Sequence, residues 1–104
     1  MAAPWNPPKK GEDFEIVIGL EDWVNPGKFK SNPTLAAGDV KISKDGGAEA
    51  NLATLPVVEP AGSTGVKIAL SATEMTMDKG YVLFRDQTAP PEWADLKMPI
   101  VTTA

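Results

Sequence analysis

An Asp-Gly turn set beside an alternating strand is the feature that most limits what this chain can become. From Gly38 to Gly47 the sequence reads GDVKISKDGG. Val40 and Ile42 alternate with Lys41 and Ser43, the two-residue period of a strand with one face buried. Lys44-Asp45-Gly46-Gly47 follows with residues that accept the left-handed backbone conformation, the chemistry of a tight hairpin turn. Ten prolines and nine glycines divide the other segments of the 104-residue chain into short pieces. Punctuation that dense suits strands of five or six residues better than helices of ten or more. The length fits one domain with one modest core.

Taken in order, residues 1–12 read as an extended arm, because Pro4, Pro7 and Pro8 forbid a helix interior. Trp5 in that arm either tucks against its own domain or anchors in a neighbouring subunit. A single domain is expected over residues 13–104. Its first strand, residues 13–20, places Phe14, Ile16, Ile18 and Leu20 on one face. Trp23 and Phe29 flank the Asn25-Pro26-Gly27 turn signal, where they would close the core or face a partner. Leu52 and Leu55 are candidate core residues. Val57-Val58, held between Pro56 and Pro60, reads as an edge strand or an irregular crossing. Val66, Ile68 and Leu70 alternate inward.

Ser71-Ala72-Thr73-Glu74 has the capping-box pattern and predicts one short helical turn near residues 72–78, with Met75 and Met77 filling the core. Residues 81–85 are apolar on both faces, as in a central strand. The last strand, residues 93–102, carries Pro99 and so lies at an edge or carries a bulge there. Six or seven short strands separated by turns predict an all-β sandwich.

Chemistry is conspicuous by what the sequence lacks. It contains no histidine and no cysteine, and hence neither the commonest general base nor a thiolate nucleophile. Its net charge is −4, with the cations scattered, which disfavours nucleic-acid binding. No apolar run approaches a membrane span. Glu21 with Asp22, and Glu92 with Asp95, lack the placement of a catalytic carboxylate pair. Asp39, Asp45, Glu49 and Glu12 lack the dense alternation of a calcium loop. No catalytic, cofactor or metal site is expected. Association remains: free strand edges recruit neighbours, and a Pro-rich arm bearing a Trp can reach a second protomer.

The run Gly38–Gly47, followed by Asn51-Leu52-Ala53, the segment Gly65–Met75 and the closing Ile100-Val101-Thr102-Thr103, resembles a group of small β-sandwich proteins from the structural modules of tailed bacteriophages. In layout it is similar to the immunoglobulin-like adaptor domains that fix fibres and receptor-binding proteins to virions, and to capsid decoration proteins. The resemblance covers residues 35–104. It implies an immunoglobulin-like β-sandwich and a non-enzymatic virion protein, assembled in the host cytoplasm. Such a protein binds other virion proteins and forms a homo-oligomer, without nucleic acid or membrane as partner. Trp5, Pro7, Pro8, Trp23 and Phe29 are the candidate partner-binding residues. The alternative is a carbohydrate- or receptor-binding module using Trp5, Trp23 and Trp93 as aromatic platforms.

Overall fold

In a computed structural model that describes residues 8–103, seven strands form two antiparallel sheets. The strands are β1 (Phe14–Ile18), β2 (Val40–Lys44), β3 (Ala50–Asn51), β4 (Val57–Val58), β5 (Val66–Leu70), β6 (Lys79–Phe84) and β7 (Leu96–Val101). One sheet has the order β1-β5-β4 and the other β3-β2-β6-β7. No helix forms among the described residues.

Both sheets face a single core. Val66, Ile68 and Leu70 of β5 meet Val40 and Ile42 of β2, Val82 and Phe84 of β6 and Ile100 of β7. Register puts these side chains in rows: Val40 pairs with Phe84 and Phe84 with Leu96, while Ile42 pairs with Val82 and Val82 with Met98. Each fully buried side chain among them contributes roughly 1.5–3 kcal/mol through the water it sheds, and the half-buried Leu96 and Met98 less. β6 lies between β2 and β7, which explains its apolar residues on both faces. β4 and β7 are edge strands, as Pro56, Pro60 and Pro99 require.

The organising turn has the backbone its residues demand. Asp45 and Gly46 both have positive φ, 50° and 77°, and the Gly47 amide donates to the Lys44 carbonyl at 2.8 Å. Its carboxylate accepts the amides of Asp78 and Lys79, so the turn also holds the start of β6.

The predicted helical segment is a turn. The Ser71 hydroxyl accepts the Glu74 amide, the Glu74 carboxylate accepts the Ser71 amide, and one helical bond joins the Met75 amide to the Ser71 carbonyl. The chain then unwinds, with the Thr76 amide donating to Thr73 and the Met77 amide to Met75. Met75 and Met77 are both fully buried. Two residues apart on a helix they would point away from each other, so sending both inward requires an opened backbone.

Three other expectations change. Trp23 and Phe29 do not lid the core: they are 51% and 63% exposed. Trp93 fills that end instead, fully buried. Leu55 is exposed, whereas Leu52 packs against the core. The arm expected over residues 1–12 has its last part bonded to the body. The Pro8 carbonyl accepts the Thr103 amide, the Lys10 amide donates to Thr103, and the Gly11 amide donates to Met75.

Candidate functional site

The acidic side chains that are the sequence's main source of reactive groups are engaged in holding loops. Asp39, buried, accepts the amides of Ala36 and Gln87. Asp86, also buried, accepts the amides of Thr88 and Glu92 and the Thr88 hydroxyl. Burial pushes its pKa upward, but these three donors outweigh burial and hold the carboxyl below its usual value. Glu21 accepts the Gly27 amide, Asp22 that of Val24, and Glu92 that of Thr34. Glu49 accepts the Tyr81 hydroxyl, whose pKa that bond raises. Asp95 pairs with Arg85 at 2.9 Å. Among the described residues no three carboxylates gather as metal ligands would. A depression of about 300 Å³ brings Asp13, Glu15 and Ser71 together, with the Ser71 hydroxyl oxygen accepting the Glu74 amide.

The outer faces of the two sheets differ across their middles. On the four-stranded sheet Val101 is 72% exposed at the end of β7, and lysines cover the middle. Lys97 lies 4.6 Å from the centre of the Tyr81 ring, and Lys41 and Lys97 flank Leu83, which is buried on that side. The three-stranded sheet shows apolar groups to solvent. Val17 of β1 is 53% exposed and Val57 of β4 is 50% exposed, in one row with Lys67 between them. Phe29 extends this face by lying over Gly19, where an added Cβ would come 2.5 Å from the ring. Beside β4, a groove of about 270 Å³ is lined by Pro33, Leu35, Leu55 and Pro56 as well as Val57 and Val58.

β1 supplies a second feature. One edge pairs with β5, and among the described residues nothing bonds the main chain of its other edge. Its inward side chains Phe14, Ile16 and Ile18 are half-buried for that reason, as are Leu96 and Met98 of β7. Although β1 and β7 belong to different sheets, their chains join at both ends. Lys9 bridges Thr103 below, and Asp22 bridges Trp93 above. The core is therefore least covered along the side these two strands share.

Of the candidate partner-binding residues, Trp5 and Pro7 lie outside the described residues. Pro8 is tied to Thr103 at the base of the body. Trp23 and Phe29 sit together on the loop that follows β1, where the Glu21–Phe29 bridge brings its two limbs side by side. Trp93 is enclosed and offers no platform. The free edge of β1 went unmarked in the sequence. Prolines mark β4 and β7 as edges, whereas β1 carries no such sign and its status depends on which distant strands pair.

No family model matches the chain, and no curated protein or solved structure matches it either.

Proposed function

We propose that this protein is a non-enzymatic assembly module, a virion structural component that docks other virion proteins through its three-stranded sheet. The observation that carries this reading is the pairing of a five-residue strand edge, unpaired among the described residues, with an exposed apolar face on the same sheet. A row of unpaired main-chain donors and acceptors is a template for another strand, and a lone monomer gains nothing from leaving apolar groups beside it. The acidic groups support the non-catalytic part, since the buried carboxylates of Asp39 and Asp86 are occupied by loop donors.

The immunoglobulin-like layout belongs to the same proposal. In that reading β1 to β7, in chain order, would correspond to strands B, C, C′, D, E, F and G, and the sheet orders β1-β5-β4 and β3-β2-β6-β7 support it. The bacteriophage assignment rests on the resemblance over residues 35–104 and narrows the module to a capsid decoration or a neck or tail adaptor. A glycan-binding role finds less support, because Trp93 is buried, which leaves Trp23 as the one exposed Trp among the described residues. The test is immunogold labelling of density-purified tailed particles with antibody raised against the purified chain. Regularly spaced label on heads or tails is the expected result. Particles free of the protein overturn the virion assignment, and glycan-array binding by the isolated chain would turn the reading toward recognition of sugars.

A further inference from the structure

We propose that the free edge of β1 pairs with the same edge of a second copy, antiparallel and two-fold symmetric about Ile16. The proposal deepens the assembly reading by naming one partner and one register, and it stands whether or not the protein belongs to a virion.

The edges of the two sheets are not equivalent. β3 and β4 are two residues long, and Pro99 removes a main-chain donor from β7. β1 has five residues, no proline, no lysine, and half-buried Phe14, Ile16 and Ile18 along its open side. Such an edge lacks the proline and lysine that commonly blunt strand addition, and its one charge is Glu15.

Overlap and charge set the register together, since only a centre at Ile16 pairs all five residues of β1. Pairing about Ile16 sets Phe14 against Ile18 of the second copy on the inner face and Glu15 against its Val17 on the outer face. No carboxylate then meets another. A centre at Glu15 would set Glu15 against Glu15, and parallel pairing in register would stack like charges along the strand, both unfavourable. The row about Ile16 also continues well into each subunit. Val17 pairs across its own sheet with Lys67, so the sequence across the joint is Glu15 of one copy, then Val17 and Lys67 of the other. Opposite charges bracket an exposed valine on each side of the axis. The arrangement is self-complementary, as a two-fold interface must be. It would join two three-stranded sheets into one of six and cover the side where the core is least enclosed.

The full chain is tested by sedimentation equilibrium up to about 100 μM, a range that detects even a weak dimer. The expected result is a dimer. Val17→Glu, at an exposed position, sets a carboxylate against Glu15 of the second copy and should weaken association at least about ten-fold. Glu15→Lys combined with Val17→Glu restores the opposite pairing and should recover it. Thermal unfolding of each variant checks that the subunit itself remains folded. A monomeric full chain, an unchanged dimer in Val17→Glu, or loss without recovery in the double variant would each overturn the proposal. Particle labelling is independent of all three outcomes, so failure here leaves the virion assignment to its own test.

Discussion

At Gly80 the ladder between β2 and β6 leaves no room for a side chain. A Cβ there would run into the Ser43 carbonyl oxygen and come 2.7 Å from the Met77 sulfur. Backbone cannot move aside in a paired strand, and Met77 is itself fully buried. Gly80→Ala should therefore cost about 2 kcal/mol, the usual scale of overpacking, read as a lowered urea midpoint with unchanged slope. Asp86 makes a different kind of contribution. Its carboxylate, held below the usual range for an aspartate, accepts three hydrogen bonds that close the loop before Trp93. A carboxyl with a depressed folded pKa stabilises fully above its unfolded pKa. That stability disappears as pH falls through the folded value. Unfolding free energy measured from pH 7 downward should decline below about pH 4. Asp86→Asn should cost about 2 kcal/mol at neutral pH and reduce that acid loss, because the amide cannot accept from all three donors. Equal acid sensitivity in the variant would remove Asp86 from the account.

Between residues and the whole lie the short elements, and here Glu74 joins two of them. One carboxylate oxygen accepts the Ser71 amide, and the other accepts the Ala53 amide from the chain between β3 and β4. Glu74→Gln retains one acceptor and presents an NH₂ group to the other donor. It should lower stability by about 1–2 kcal/mol in urea unfolding, and more than Thr73→Ala, since the Thr73 side chain makes no hydrogen bond among the described residues. The same turn shows what local sequence can reveal. The capping-box bonds were legible because they join residues three apart. The helix they usually announce was not realised, because the demand that Met75 and Met77 both enter the core comes from the sheets on either side. Strand alternation at Val40–Ile42 and Val66–Leu70 was legible for the same reason as the cap: the period is written in neighbouring residues. Nothing local separates Trp93 from Trp23. Which indole is enclosed is decided by the pairing of residues 21–22 with residues 93–94, more than 70 positions away. The candidate site suffers from the same distance, because the vacancy beside β1 exists only once β5 has taken its other edge.

For the molecule as a whole, the joining of β1 to β7 at their ends is what keeps two sheets around one core. Hydrogen bonds within each sheet do nothing to hold the sheets against each other; burial does that along most of the interface. On the β1–β7 side burial is incomplete, and the terminal bridges make up part of the difference. Below, that role falls to residues just before β1. The Thr103 amide donates to Pro8, the Lys10 amide donates to Thr103, and the Gly11 amide donates to Met75, with Lys10 also paired to Asp78 at 3.0 Å. Two truncations separate these residues from the segment ahead of them. Deletion of residues 1–12 removes all of those bonds, whereas deletion of residues 1–7 removes none. Three backbone bonds at about 1 kcal/mol each predict that the longer deletion is less stable than the shorter by about 2–3 kcal/mol. The longer deletion should also open the β1–β7 side, visible as faster amide hydrogen exchange in β1 and β7 than in β2 and β6. If the two truncations unfold at the same urea concentration with the same exchange pattern, residues 8–11 do not act as a clasp, and the sandwich is closed by its core alone.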